Sequence, residues 1–205
     1  MDTLYAILAG VGLAGACGLR VFLPLLALSS ACAFGFIEPP EGMKWLDSAT
    51  AVFIFAVATA LEVGAYYVPW LDNALDTVAS PGAVVAGTIS VAAMLPDVHP
   101  AARWSLALVA GGGAAGVVQV GTVVTRALSG ATTGGVGNPV VSTVELAGST
   151  LLVIFSLVLP ILAALLVLML VAWMLRAIVR WRRTRAAHRA APPELEPRMD
   201  TDAHR

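Results

Sequence analysis

Apolar residues run almost unbroken from Leu4 to Phe34, 31 positions. A single straight helix over that stretch is about 46 Å long, against a hydrocarbon core of about 30 Å. The pattern therefore predicts a broken first helix. The break falls between Gly15 and Pro24: Gly15 and Gly18 loosen the helix, and Pro24 has no N–H to give the carbonyl of Arg20. A polar, turn-rich loop with Glu38, Pro39, Pro40, Glu41, Lys44 and Asp47 precedes a second span, predicted from Ala49 to Trp70. After a loop from Asp72 to Ser80, a third stretch from Gly82 to Leu95 has 14 residues, about 21 Å of helix and short for a crossing.

Asp97, His99 and Pro100 make a turn, and a fourth span runs from Trp104 to Leu128. The glycine-rich, uncharged segment Ser129 to Asn138 reads as a loop. From Pro139 to Ile178 the chain is apolar for 40 residues, twice one span, and Pro160 divides it into a fifth and a sixth helix. An alternative division makes Pro139 to Gly148 a short re-entrant piece before one long helix. Six helices place both termini in the cytoplasm, and five place the N-terminus outside.

The order of features repeats. A glycine-rich helix with an arginine (Arg20; Arg126) is followed by a helix with a lone glutamate (Glu62; Glu145), then by a proline that opens another helix (Pro81; Pro160). Residues 8–31 laid over 108–131 share seven identities in 24 positions. Three helices per half is an odd number, so the halves face opposite ways, as in transporters with inverted repeats. The expected fold is all-α: a polytopic membrane domain over residues 1–180, with about six transmembrane helices in two inverted repeats, about 4–96 and about 104–180. Residues 181–205 then form a basic and finally disordered tail.

Composition supports the membrane assignment and removes other classes. Of 205 residues 59% are hydrophobic and 12% charged, where a soluble domain has about a quarter charged. An ordinary cytosolic domain, a disordered protein and a nucleic-acid binder are excluded. Half of the twelve basic residues lie at Arg176, Arg180, Arg182, Arg183, Arg185 and Arg189. By the positive-inside rule this places the C-terminus in the cytoplasm of a multi-pass cell-membrane protein. The N-terminus lacks the basic start of a signal peptide. Cys17 and Cys32 both sit in apolar sequence and read as small packing residues. Trp45, Trp70, Trp104 and Trp173 fall near span ends, as an aromatic belt requires.

Few residues are left to carry chemistry. A carboxylate inside a span faces the protein interior, pairs, or is protonated, because exposing the ion to lipid costs several kcal/mol. Glu62 and Glu145 are predicted at similar depths, about 12 and about 9 Å from one membrane face, close enough to share a site for a proton or cation. They are the metal ligands if a cation is bound. Arg20 is their counter-charge or a gate beside the helix break. The competing assignment is structural, with Glu62 paired to Arg20 and Glu145 to Arg126 or Arg20. Thr59, Ala65 and Tyr66 share the helical face of Glu62; Ser142, Gly148 and Ser149 share that of Glu145. Ser142 supplies an oxygen. Asn138 is expected as the N-cap of the fifth helix, with Pro139 at its first position, or as part of a solute-binding helix end. Gln119 reads as an interhelical hydrogen-bonding residue, and Asp72 and Asp76 as solvated or lining an entrance.

No metalloprotease, nucleophile-elbow, P-loop or Cys-x-x-Cys motif is present. No catalysis and no cofactor are expected; the partners are the lipid bilayer and a cation, proton or small solute. The runner-up reading is a non-transporting membrane scaffold or accessory subunit.

Three stretches carry a resemblance: Gly18-Leu-Arg20-Val-Phe-Leu-Pro24; Leu61-Glu62 with Pro69, Asp72, Asp76, Pro81 and Gly82; and Gly137-Asn138-Pro139-Val-Val-Ser142 with Glu145. Together they resemble the bacterial membrane family called domain of unknown function 4126, over about residues 5–170. The resemblance implies a multi-pass protein and supplies no activity. In the family an Asp-Lys pair follows the first glutamate and an Arg precedes Pro81; Tyr66-Tyr67 and Ser80 stand there in this chain. Glu62-Val-Gly64 is also similar to the Glu-x-Gly-Asp-Lys of cation-proton exchangers built from inverted three-helix repeats, without the Asp-Lys, which makes it an analogy of architecture.

Overall fold

A computed structural model describes residues 3–190, without the side chains of 69, 70, 72–74, 76, 178 and 181–190. The described residues form helices joined by short turns. They are α1 (Thr3–Leu19), α2 (Phe22–Ala33), a 3-10 helix (Glu41–Asp47), α3 (Ala49–Ala65), α4 (Pro69–Ala93), α5 (Pro100–Leu106), α6 (Gly113–Thr133), α7 (Asn138–Val158) and α8 (Pro160–Ala190). A π-helical turn, Ala107–Gly112, joins α5 to α6 in one 34-residue helix. By length and composition three helices suffice to cross a membrane: Pro100–Thr133, Asn138–Val158 and Pro160–Ala177. A fourth is added if the 3-10 helix and α3, bent by 62°, count as one span.

The first apolar stretch breaks where the sequence predicts, at Arg20-Val21, and does more than kink. Thr3 and Ala6, at the start of α1, line the same cavity as Gly35 to Glu41 beyond α2 and Ala93 to Val98 beyond α4. The chain has turned back. Call this end upper. The other reversals follow: Glu62 near the end of α3 reaches the Arg20 turn, while Leu159 and Pro160 lie beside Tyr5 at the upper end. Thr3 and the far end of α8 therefore lie at opposite ends of the bundle. This differs from the six-helix expectation, which put both termini on one side. Its physical root is a buried arginine that needs partners inside the protein and makes the turn itself.

α1 is the axis of the bundle. Ten of its 17 residues are buried, and all ten are Gly, Ala, Cys or Leu. Small residues let helix backbones approach closely where lipid offers no hydrophobic drive for association. A Cβ at Gly15 would collide with Val167 of α8, and one at Gly12 with Ser156 of α7 and Ala163 of α8.

Two predicted loops are helical. The segment Asp72 to Ser80 belongs to α4, which starts at Pro69 and carries Pro81 inside it. Its polar positions 72, 73, 76, 77 and 80 recur at helical spacing, so a polar run was a polar stripe. α6 continues to Thr133, and the turn before α7 narrows to residues 134–137, with Gly134 at φ +63° and Gly135 at +91°. Thr133 closes it: its hydroxyl donates to the Ser129 carbonyl at 2.7 Å and accepts from Gly137 N–H at 2.9 Å. The division at Pro160 holds, with α7 ending at Val158 and α8 starting at Pro160.

The two stretches aligned as repeats take different forms. Residues 8–31 turn back at Arg20, whereas 108–131 lie within one continuous helix. α8 stays helical through the arginine-rich segment to Ala190. The tail beyond 190, and the side chains of Trp70, Asp72 and Asp76, lie outside the described residues. Trp45, Trp104 and Trp173 are exposed.

Candidate functional site

The four intramembrane charges singled out from the sequence converge at the lower end of α1. Arg20 is 1% exposed, Glu62 and Arg126 3% and Glu145 6%. Each is met by something different.

Glu62 lies three residues before the end of α3. Its Oε1 accepts from the N–H of Val21 at 2.8 Å, and its Oε2 from the N–H of Phe22 at 3.1 Å. The first N–H groups of a helix have no partner within it, and they attract negative charge. The carboxylate of α3 thus caps α2 from outside, and holds the turn between α1 and α2 in place. The direct Glu62–Arg20 pair is replaced by backbone donors.

Glu145 lies seven residues into α7, about 10 Å along it. Its Oε2 accepts from both Nε and Nη2 of Arg126, in a buried ion pair between α6 and α7. This is one of the two structural pairings expected for Glu145. The two carboxylates therefore hold separate partners, and each acts electrostatically on Arg20 from its own side.

Arg20 joins the halves. Its Nη2 donates to the carbonyl of Ser142 at 2.6 Å and to its hydroxyl at 2.8 Å. Ser142 thus supplies an oxygen, but to Arg20. Two turns further along α7, Ser149 donates to the carbonyl of Ala16 at 3.1 Å, so α1 and α7 are stitched twice. Nε and Nη1 of Arg20 have no hydrogen-bond partner among the described residues. Their environment is aromatic: the guanidinium carbon lies 4.1 Å from the ring centre of Tyr66, and that of Arg126 lies 3.9 Å from the same ring. A ring face attracts a cation, and more so away from water.

Tyr66 is the residue that sequence reasoning undervalued. Helical spacing marks it only as a neighbour of Glu62, four positions on, yet it is buried and receives both arginines. The signal was available: Tyr66 stands where the resembling family has the Asp of its Asp-Lys pair. Tyr67 follows it with a hydroxyl 3.0 Å from that of Thr143, tying the end of α3 to α7.

Asn138 is buried at the start of α7, one turn before Ser142. It is the first helical residue rather than the N-cap; Gly137 holds the cap position, and the Asn138 N–H donates to Gly135 at 3.1 Å. Gln119 is buried, and its Nε2 has no partner among the described residues, so the expected interhelical bond is not made by that atom. Cys17 and Cys32 are buried. No group of three His, Cys, Asp or Glu side chains able to hold a metal occurs among the described residues.

A cavity of about 800 Å³ opens beside the site, between α3 and α4. Val21, Phe22 and Glu62 line it, and its other lining residues among those described are apolar or glycine. Glu145 does not line it. The arrangement can bind or release one positive charge at Glu62 and relay the change to the α1–α2 turn through two hydrogen bonds. Around Arg126 and Glu145 it can do little but hold charge in place.

No curated protein and no solved structure matches the chain. The profile described as domain of unknown function (DUF4126) matches residues 7–180, and the chain belongs to that family.

Proposed function

We propose that this membrane protein is a small transporter or channel for a proton, cation or small solute, with Glu62 as the group that takes the charge. The observation that carries the reading is the double role of Glu62: it caps the turn between α1 and α2, and it borders an 800 Å³ cavity. Protonating Glu62, or drawing it onto a cation, weakens its hold on Val21 and Phe22. A ligand that binds one arrangement of the turn better than another shifts the balance between them. Arg20, Tyr66, Arg126, Ser142 and Glu145 form the fixed frame against which the turn moves, with Asn138 behind it.

In this reading the arginines beyond Arg176 place the lower end in the cytoplasm of the cell membrane, and Thr3 lies on the far side. The inverted repeat survives as an ancestry of the two Arg-then-Glu helix pairs, overlaid by the turn at Arg20. The protein performs no catalysis, carries no cofactor and binds no nucleic acid.

The scaffold reading draws on one observation of its own, the sealed Arg126–Glu145 pair. Flux in proteoliposomes under proton, sodium and potassium gradients separates the two. Parent protein is expected to dissipate one of these gradients, and Glu62→Gln to lower that flux at least tenfold. Flux at the empty-liposome level for every gradient, or flux unchanged in a Glu62→Gln/Glu145→Gln double variant, removes the site.

A further inference from the structure

The buried polar layer at the lower end of α1 holds more donors than it uses. Arg20 is 1% and Gln119 3% exposed. Both hydrogen bonds of Arg20 leave from Nη2. Its Nε and Nη1, and Nε2 of Gln119, are sealed from solvent and have no hydrogen-bond partner among the described residues. Buried polar atoms are almost always partnered, and these three are all N–H donors. The Tyr66 ring attracts the charge of Arg20 but supplies no oxygen to its N–H groups. What the layer lacks is an acceptor.

The two side chains belong to one level of the bundle. α1 starts and the α5–α6 helix follows the loop at the upper end, so both run downward. They cross where a Cβ on Gly18 would collide with Val118 and with the carbonyl of Ala115. Arg20 lies two residues past Gly18 and Gln119 one past Val118, which at 1.5 Å per residue puts their backbones at nearly the same depth. Gln119, Thr122 and Arg126 are buried and recur at helical spacing on α6. The last of them reaches the same ring as Arg20, so this stripe faces the layer that holds Arg20.

Charge decides what kind of acceptor fits. Arg126 and Glu145 cancel in their own pair, which leaves Arg20 against Glu62. Tyr66 on α3 and Cys17 on α1 also act on these two, and both are neutral in their protonated forms. From α2, Glu62 meets the N–H groups of Val21 and Phe22. The described α4 residues of the cavity beside Glu62 are apolar or glycine. With Glu62 ionised, the layer is neutral. With Glu62 protonated, it carries one positive charge at Arg20, and an uncompensated buried charge is strongly destabilising. Water accepts from an N–H but restores no charge. A singly charged anion does both.

We propose that the unused N–H donors of Arg20, together with the Gln119 amide, bind a small monovalent anion such as a halide or nitrate when Glu62 takes up a proton. Proton and anion then cross together with no net charge. The same event opens the way in. The peptide that Glu62 holds is that of Val21, next to Arg20, so protonation loosens the turn while Ser142 and Tyr66 keep the guanidinium in place. The inference rests on Glu62 as the group that takes the charge, and adds to it the class of solute.

The test uses the full chain in proteoliposomes at zero membrane potential, with acid outside and proton uptake read by an internal pH dye. Uptake in chloride or nitrate should exceed that in the bulky anion gluconate at least tenfold, and labelled chloride should enter with the protons. Gln119→Leu removes a donor and leaves no polar group behind, so it is expected to fold. It should raise the chloride concentration for half-maximal uptake about tenfold, the loss of one hydrogen bond to an ion, and keep the maximal rate. Equal proton uptake in gluconate and chloride overturns the anion site and leaves Glu62 as a proton carrier. Chloride entry indifferent to the pH gradient and to Glu62→Gln overturns the coupling. An unchanged half-saturation in Gln119→Leu puts the anion elsewhere and overturns the site. No movement of protons or chloride under any condition removes the anion site and the role of Glu62 together.

Discussion

Glu62 and Glu145 occupy matching places in the sequence, each a lone acid in an apolar helix, yet the protein neutralises them by different means. Glu145 is answered by a full positive charge on Arg126. Glu62 is answered by two peptide dipoles at the start of α2. A guanidinium never gives up its proton in a protein, so the first arrangement is permanent. Dipoles carry no net charge, so in the proposed reading the second leaves the acid free to be neutralised in another way, by a proton or a cation. Burial of a charge says that it matters. The nature of its partner says whether it can change.

The comparison can be broken at its strongest point first. Arg126→Leu leaves Glu145 buried without its cation, and should destabilise the protein by about 3–5 kcal/mol, whereas Arg126→Leu/Glu145→Leu should recover most of that loss. Thermal unfolding in detergent measures both; equal losses in the single and double variants would show that the pair acts through packing alone. Next in size, Glu62→Ala strips the acceptor from Val21 and Phe22 N–H, at about 1–3 kcal/mol for each buried group left unmade. Glu62→Gln, which keeps one acceptor oxygen, should fall between. Amide exchange at Val21 and Phe22 should quicken in the same order, and unchanged exchange would remove Glu62 from the turn.

Tyr66 links the two halves of the comparison. Tyr66→Leu should cost about 0.5–2 kcal/mol through loss of the cation–ring contacts, and Tyr66→Phe distinctly less, because the ring remains. Equal losses would assign the role of Tyr66 to its hydroxyl. The smallest effect belongs to the exposed counterpart of the buried pair. Lys44 donates to Glu41 at 2.6 Å within the 3-10 helix before α3, and the carboxylate beside it raises the ammonium above its usual pKa. Solvent screens such pairs, so Lys44→Ala should leave the melting temperature unmoved; a fall like that of Arg126→Leu would contradict the emphasis on burial.

Much of this site is legible in sequence. Scarcity of charge in apolar stretches singles out Arg20, Glu62, Arg126 and Glu145, and the excess length of the stretch from Leu4 to Phe34 locates the break. What remained hidden depends on direction and on backbone. Nothing in a pattern of side chains says that the chain reverses at Arg20 instead of bending, since a kinked crossing and a turned-back pair of helices have the same composition. Nor does it reveal that Glu62 binds N–H groups, which every residue but proline carries. The polar residues from Asp72 to Ser80 misled because their density was weighed and their spacing was not. Tyr66 was overlooked because an aromatic ring in a membrane helix is usually packing, and only the approach of two cations gives it another use.

The turn at Arg20 also sets a timetable for biogenesis. The serine that binds the Arg20 guanidinium lies 122 residues further along the chain. At synthesis rates of about 5–20 residues per second, that partner follows on the order of 6–24 s later. During that interval the guanidinium lacks both of its hydrogen bonds to Ser142, and the ring of Tyr66, made 46 residues after it, is what faces the cation. The frame around Arg20 is therefore complete only once α7 has been made, although α1 and α2 precede it by more than a hundred residues.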